Sequence, residues 1–238
     1  MENTQLQKLA TPIAVVIAGA LIAGAVFYTS GSSNRAADLG PQDGGQPTGD
    51  LEAMAPVSSE DHIRGNPDAP VKIVEYSDTE CPFCKRFHTT MQQVIDEYGK
   101  NGKVAWVYRH FPLDQLHSKA RKEAEATECA AEIGGNDKFW SYLDRLMEIT
   151  PANNGLDPAE LPKIASYVGL DTAKFNECLS SGKYAQKIEE HVQNATATGG
   201  NGTPWSIVVS TKGKKYPLSG AQPYASVKQL IELALQGK

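Results

Sequence analysis

Residues 71–84 read VKIVEYSDTECPFC, and this stretch decides the fold. Its first half is an apolar, β-branched run of the kind that forms a buried strand, and the turn-forming segment GNPDAP at 65–70 precedes it. Pro82 suits the first position of a helix, because its ring nitrogen carries no hydrogen that would need an acceptor there. We therefore predict a strand over 71–77 and a helix that begins at the cysteine pair and runs to Tyr98.

The same patterns place the other elements of an α/β domain around this stretch. In chain order they are an extended piece at 62–64, strands at 104–109 and 205–210, a hairpin partner at 215–218 and a closing amphipathic helix at 224–236. One helix separates the strand at 71–77 from the strand at 104–109, which is the spacing of a βαβ unit. We therefore predict that these two strands are parallel.

A long stretch of helical periodicity separates the strand at 104–109 from the strand at 205–210. The helices predicted there are 118–133, 138–149, 158–168, 172–179 and 184–197. The order strand, helix, strand, helical segment, β-hairpin, helix corresponds to a thioredoxin-like plan with an insertion. We therefore predict one α/β domain over 61–238, with a helical insert at about 114–198.

Cys81-Pro82-Phe83-Cys84 is the candidate active site. A loop meets the first turn of a helix here, and the backbone N–H groups of that turn stabilise negative charge. A thiolate at Cys81 would have a pKa below ~8.5 and would be the nucleophile in disulfide exchange, with Cys84 one helical turn away. The alternatives are a structural disulfide or, with His88, part of a zinc site, but the sequence has no second C-x-x-C and no H-x-x-x-H.

Two further features favour redox chemistry. Glu75 lies in a strand that should be buried on both faces, where desolvation raises the pKa of a carboxyl, so that it can exchange a proton with Cys84. The alternative is a solvated Glu75 near the edge of the sheet. Downstream, Gly202-Thr203-Pro204 directly precedes a strand, a position at which proline is tolerated and can follow a cis peptide bond.

Taken together, these motifs resemble the DsbA-like thiol-disulfide oxidoreductases of the thioredoxin superfamily, of the membrane-anchored or secreted bacterial type. The resemblance covers 61–238 and is carried by GNPDAPVKIVEYSD, by CPFC followed by KRFH, by HFPL before the insert and by GTP before the hairpin. It implies that Cys81 is an exposed nucleophile and that Cys84 is the resolving thiol.

The resemblance also implies roles for residues around the cysteine pair. Glu75 matches the buried acid of the family, and Pro204 matches its cis-proline. Thr203 would offer main-chain hydrogen bonds to an extended substrate, and Pro82 and Phe83 would contact that substrate.

The direction of electron flow depends on the residues next to the thiolate. Where this chain has Phe83, the best-known oxidase of the family has a histidine that stabilises the thiolate. Phe83 has no side-chain donor for Cys81, and the neighbouring Glu80 raises the energy of the thiolate, an effect that Lys85 and Arg86 offset. Because one pKa unit corresponds to roughly 30 mV, we expect a less extreme oxidant than that enzyme.

Three functions remain open at this stage. The resemblance favours an extracytoplasmic dithiol oxidase that needs no cofactor, acts on unfolded or reduced exported proteins and is reoxidised by a quinone-linked membrane partner of the DsbB or VKOR type. The same site would also serve a disulfide reductase or isomerase. A tethered metal-binding domain that uses Cys81, Cys84 and His88 is the third alternative.

Cys129 and Cys178 lie in two different helices of the insert. Two buried free thiols would be ordinary core residues. An even cysteine count in an exported protein favours a bridge, and similar members of the family carry a second pair here. We therefore expect a structural disulfide between Cys129 and Cys178.

The N-terminal 60 residues set the expected compartment. We predict a cytoplasmic N-terminus at 1–10, a transmembrane anchor at 11–29 and a flexible linker at 30–60, which is rich in Gly, Ser, Pro and Asp. The alternative is a cleaved signal peptide, because Ala23-Gly24-Ala25 has the small-x-small pattern. Either interpretation exports the domain: it would be held at the bacterial cell membrane by a single span, or be secreted or periplasmic after cleavage.

The composition is that of a globular protein. Of the 238 residues, 40% are hydrophobic and 21% charged, which excludes a chain that is disordered throughout. The formal net charge of −5 argues against a nucleic-acid partner, which would require a basic face.

Overall fold

The apolar run that begins at Val71 is the central strand of a five-stranded sheet in the computed structural model, which describes residues 49–237. The strands are β1 (His62–Arg64), β2 (Val71–Ser77), β3 (Val104–His110), β4 (Trp205–Val209) and β5 (Lys215–Ser219). They lie in the order β1-β3-β2-β4-β5. β2 and β3 are parallel, as predicted, and the other neighbouring pairs are antiparallel.

Helices cover both faces of this sheet. They are α1 (Pro82–Val94), α2 (Ala120–Ile149), α3 (Glu160–Tyr167), α4 (Thr172–Ser181), α5 (Ala185–Ala197) and α6 (Tyr224–Leu235). Phe87 of α1 and Ile231 of α6 pack with Ile73 and Trp106 on one face, and Ala195 of α5 packs on the other. The thioredoxin-like α/β fold with a helical insertion is therefore confirmed.

The helical insert α2–α5 has a hydrophobic core of its own. Tyr142, Ile164 and Phe175 are buried in this core together with Cys129 and Cys178. The two cysteines are joined by a disulfide, with their Cα atoms 5.8 Å apart, which ties α2 to α4.

Two helices differ from the predicted boundaries. The helix predicted to run to Tyr98 ends as α1 at Val94 and continues as a π-helical turn over Ile95–Gly99, in which the N–H of Lys100 bonds to the carbonyl of Ile95 at 3.1 Å. The helices predicted at 118–133 and 138–149 are both present, as the two parts of α2, but the gap between them narrows to a kink at Gly135. Gly135 has φ +75°, a conformation that glycine adopts without the steric penalty of a side chain.

The flexible linker predicted for 30–60 is wrong for its last part. Residues 50–60 pack on the domain: Met54 is buried, and Asp50 caps a short 3₁₀ turn over Leu51–Ala53. The guanidinium of Arg109 donates to the carbonyl oxygens of Ala55 and Pro56 at 3.0 and 3.2 Å. Composition predicted a tether because these contacts use backbone carbonyls and the three apolar side chains of Leu51, Met54 and Val57, which a count of residue types does not distinguish from a flexible linker.

The predicted anchor at 11–29 and the rest of 1–48 lie outside the described residues. Within 49–237, no helix is both long enough and apolar enough to cross a membrane.

Candidate active site

Cys81 occupies the N-cap position of α1, with Pro82 as the first helical residue. The structure holds Cys81 and Cys84 as two thiols. The resemblance implied an exposed nucleophile, but Cys81 is buried, with only 4% of its surface exposed. Its Sγ lies 3.5 Å from the carbonyl oxygen of Thr203, so the segment before β4 covers it.

The surroundings of Cys81 favour its thiolate. The hydrogen bond from the Cys84 thiol lowers the pKa of Cys81 to about 6, against the effect of burial. The neighbouring Thr203 hydroxyl also lowers this pKa, and so do the backbone N–H groups of Phe83 and Cys84. Phe83 therefore stabilises the thiolate through its backbone N–H. The comparison of Phe83 with a histidine considered only the side chains and did not include this contribution.

Cys84 has the opposite environment. It is fully buried, and burial raises the pKa of its thiol well above the ordinary value, with the charge on Cys81 acting in the same direction. The backbone N–H of Asp78 lies 3.4 Å from its Sγ. The two sulfurs of the pair therefore differ strongly in acidity, as a nucleophilic thiol and a resolving thiol do.

Glu75 is buried in the middle of β2, so the alternative of a solvated position at the edge of the sheet is wrong. Its Oε2 accepts a hydrogen bond from Trp106 Nε1 at 2.9 Å, and its Oε1 has no partner among the described residues. Burial raises the pKa of Glu75 to about 7. Near neutral pH this carboxyl can therefore either hold or release a proton.

Thr203 and Pro204 form the second side of the site. The peptide bond between them is cis, and Pro204 is directly followed by β4. Thr203 Oγ1 is buried with no hydrogen-bond partner among the described residues, which leaves it free to donate to a thiolate. On the opposite side, Pro82 is exposed, and Phe83 is 54% exposed with the guanidinium of Arg86 5.3 Å from its ring centroid.

Glu80 and Lys85, which the sequence places next to the thiolate, are hydrogen bonded to a distant part of the chain. Glu80 is buried, and its carboxylate oxygens accept the N–H groups of Gly155 and Leu156, both at 3.2 Å. Lys85 Nζ donates to the carbonyl oxygen of Thr150 at 2.6 Å. Both side chains therefore connect the active-site segment to the loop that follows α2, and these partners are too distant in sequence to be inferred from it.

Two buried acids beside the site were missed by the sequence analysis. Asp78 Oδ2 accepts the N–H of Leu113 at 2.7 Å and contacts His117 Nδ1 at 2.9 Å, and burial raises the pKa of Asp78. Burial also raises the pKa of Glu123 to about 8, and a hydrogen bond to Glu80 acts in the same direction. The sequence does show three acids at 75, 78 and 80, in and directly after one apolar strand. It does not show which residues these acids contact.

The third alternative, a metal site built from the cysteines and His88, has no geometric support. His88 is buried, and its Nε2 is hydrogen bonded to Asp144 at 2.7 Å. Across residues 49–237, no three His, Cys, Asp or Glu side chains converge in a group that could hold a metal ion.

Comparison with known proteins identifies the family to which this chain belongs. A family model described as Thioredoxin matches residues 58–232, and the chain therefore belongs to this thioredoxin family. Pseudomonas aeruginosa DsbA2 superimposes with a TM-score of 0.65 at 26% identity, over 76% of this chain and 98% of that one. BdbD from Bacillus subtilis in its oxidised form gives a TM-score of 0.64 at 24% identity, over 81% and 97%. Within the superfamily the chain is a DsbA-like protein, and its fold supports thiol-disulfide oxidoreductase activity.

The curated proteins with similar sequences are named as Na⁺/H⁺ antiporters. The Na⁺/H⁺ antiporter NhaA 3 of Salinispora tropica is 36% identical over 165 residues, which is 69% of this chain and 24% of that protein. The antiporter NhaA 1 of Mycolicibacterium gilvum is 32% identical over 179 residues, 74% of this chain and 27% of that protein. This chain thus spans about a quarter of the length of these relatives, and antiport is a property given to them.

Proposed function

We propose that the protein is an extracytoplasmic dithiol oxidase that introduces disulfides into unfolded or reduced exported proteins. The observation that carries this proposal is the environment of Cys81, whose pKa of about 6 keeps it largely a thiolate at neutral pH. Stabilising the thiolate stabilises the reduced form of the pair, so the Cys81–Cys84 disulfide gives up its oxidising equivalents readily.

The reaction begins with Cys81 and Cys84 joined. A substrate thiolate attacks Cys81 Sγ, a mixed disulfide forms, and Cys84 leaves with the electron pair of the broken S–S bond. Cys84 then takes up a proton, for which the buried carboxyl of Glu75 is the source. A second substrate thiolate attacks the substrate sulfur of the mixed disulfide, and Cys81 leaves as its stabilised thiolate.

The surroundings of Cys81 fit an extended polypeptide as the substrate. The carbonyl oxygen of Thr203 lies 3.5 Å from the nucleophile, and Pro82 and Phe83, which follow Cys81 in the chain, are exposed. In our proposal the backbone of Thr203 pairs with the substrate backbone, and Phe83 contacts an apolar substrate side chain.

The remaining parts of the proposal concern the compartment. The predicted anchor at 11–29 would hold the domain at the outer side of a bacterial cell membrane. There a quinone-linked membrane partner of the DsbB or VKOR type would accept two electrons from the reduced pair and restore the disulfide.

The test is the direction of catalysis on two substrates. The oxidised chain should form disulfides in reduced, unfolded ribonuclease A, and Cys81→Ser should abolish this activity. A reductase or isomerase would instead reduce insulin disulfides rapidly with dithiothreitol as the electron donor. Rapid insulin reduction without oxidation of ribonuclease would therefore overturn the proposal in favour of that alternative.

A further inference from the structure

A row of buried polar groups crosses the sheet beneath the active site. In the strand register Glu75 of β2 lies opposite Tyr108 of β3 on one side and Ser206 of β4 on the other. Ser77 lies two residues further along β2, so its side chain is on the same face as that of Glu75. Cys84 of α1 packs on this face, in one hydrophobic cluster with Tyr108.

The hydroxyl groups of this row are not committed to other partners. Among the described residues, the buried polar atoms without a hydrogen-bond partner include Glu75 Oε1, Ser77 Oγ, Tyr108 OH and Ser206 Oγ. Buried polar atoms nearly always have a hydrogen-bond partner. Several atoms without one around a single carboxyl therefore require a functional explanation. A hydroxyl with no fixed partner is free to turn between two acceptors.

Ser77 is the member of the row best placed between the acid and the thiol. It directly precedes Asp78, whose N–H lies 3.4 Å from Cys84 Sγ. Burial raises the pKa of Glu75 and that of Cys84, and the Ser77 side chain acts against this rise in both groups. The serine thus lies on the face of β2 that carries Glu75 and next to the residue whose N–H meets Cys84, and these are the two groups between which the oxidase mechanism requires a proton to pass.

We propose that the Ser77 hydroxyl carries the proton between the Glu75 carboxyl and the Cys84 sulfur. This inference rests on the proposed function, because that function requires Cys84 to gain a proton in one half of the cycle and to lose it in the other.

The transfer balances without any redox change. When Cys84 leaves Cys81, its Sγ carries an electron pair and takes the hydrogen of Ser77 Oγ. At the same time Ser77 Oγ takes the hydrogen of the Glu75 carboxyl, so an S–H bond forms, the O–H bond of the acid breaks and the serine stays neutral. In the reverse direction the Cys84 thiol loses its proton by the same route before it attacks a mixed disulfide on Cys81.

The experiment follows the full chain in its reduced form as it reacts with 5,5′-dithiobis(2-nitrobenzoate) in a stopped-flow instrument. The first equivalent of thionitrobenzoate reports the attack of Cys81 on the reagent. The second equivalent reports the attack of Cys84 on the resulting mixed disulfide. Ser77→Ala should slow the second phase about tenfold at pH 7 and leave the first phase unchanged.

Two variants make this result specific. Ser77→Thr keeps a hydroxyl and should restore the second phase, whereas Ser206→Ala removes an equally buried hydroxyl from the other side of Glu75 and should leave both phases unchanged. In addition, Ser77→Ala should slow the second phase no further in a Glu75→Gln background, because both changes interrupt one route.

An unchanged second phase in Ser77→Ala would overturn the proposal. Equal slowing in Ser206→Ala, or slowing of both phases together, would overturn it as well, because either result indicates general damage to the site. These rates are independent of the direction in which the pair works. A failure of the proposed oxidase function would appear instead in the assays on ribonuclease and insulin.

Discussion

The two cysteines of the site have the same chemistry and opposite surroundings. Cys81 lies at the N-terminus of α1, where Thr203 and two backbone N–H groups face its sulfur. Cys84, one turn later, is buried against the sheet and the carboxyl of Glu75. Position along one helical turn, rather than any unusual residue, therefore produces the difference in acidity that the proposed roles of nucleophile and resolving thiol require.

Thr203→Val tests the side-chain donor to the thiolate. The change keeps the shape of the side chain and removes the hydroxyl, so we expect the pKa of Cys81 to rise from about 6 by roughly 0.5–1 unit, the equivalent of one net hydrogen bond. The thiolate absorbance at 240 nm, titrated against pH, measures this shift. Thr196→Val, at an exposed position on α5, is the control, and an unchanged pKa of Cys81 in Thr203→Val would contradict the assignment.

For single residues, the sequence predicts those of the active-site motifs. It does not predict the residues, far away along the chain, that contact them in the folded protein. The redox pair, Glu75 and Pro204 can be found because their local context is distinctive. The carboxylate of Glu80 cannot be placed, because its partners at Gly155 and Leu156 are some 75 residues away along the chain. Contacts of this kind follow from how the insert packs, which the local pattern does not encode.

At the scale of elements, the loop after α2 is docked onto the segment that precedes α1. The N–H of Asn153 donates to the carbonyl oxygen of Glu80 at 2.7 Å, and the carboxylate of Glu80 accepts two further N–H groups of this loop. Glu123 of α2 adds a carboxyl group to the same buried contact. The insert thus fixes the position of the residue directly before Cys81.

Glu123→Gln tests the protonation of this contact. The pKa of Glu123 is about 8 in the folded chain against an ordinary value of 4.5, so between these values only the unfolded chain loses the proton. The contribution of Glu123 to stability is therefore complete below pH 4.5 and decreases as the pH rises towards 8. Glutamine imitates the protonated acid and avoids this loss.

We expect the melting temperature of Glu123→Gln to exceed that of the unmodified chain by at least 2–4 °C at pH 8, which corresponds to about 1 kcal/mol. The difference should shrink towards pH 5, where both side chains are neutral in the folded protein. Thermal unfolding followed by circular dichroism at pH 5 and pH 8 measures this. A difference that is the same at the two pH values would show that Glu123 is ionised in the folded chain.

Element types were predicted more reliably than element ends. The strands and helices were found because period-2 and period-3.6 patterns report burial directly. The π-helical turn at Ile95–Gly99 was missed, and the gap predicted between 133 and 138 is only a kink at Gly135, because the spacing of apolar residues does not encode such local irregularities.

For the whole molecule, the folded region begins before the predicted boundary at residue 61. Met54 lies in the cluster that covers the face of the sheet opposite the active site, and Arg109 binds the backbone of the same segment. A chain that begins at residue 61 should therefore be less stable than one that begins at residue 49, by at least the ~1.5–3 kcal/mol of one buried methionine. Urea unfolding of the two chains measures this difference, and equal midpoints would show that the segment adds nothing.

The Cys129–Cys178 disulfide closes a long loop within the insert, because the two cysteines are separated by 49 in the sequence. Replacing both cysteines by alanine should lower the free energy of unfolding by ~2–4 kcal/mol, mainly because the unfolded chain regains conformational freedom. The rate at which Cys81 reacts with 5,5′-dithiobis(2-nitrobenzoate) should stay the same, because the bridge lies in a separate core. A large change in that rate with unchanged stability would contradict a purely structural role of the disulfide and would indicate a role at the active site.

If Cys81–Cys84 is an oxidising pair, as we propose, its reduction potential must be high, and this potential can be measured. The full chain is equilibrated with buffers of reduced and oxidised glutathione, and the fraction of free thiol is measured at each ratio. The stabilised thiolate of Cys81 predicts a value of about −120 to −180 mV. A value of about −250 mV or lower would contradict the account and identify the pair as a reductant.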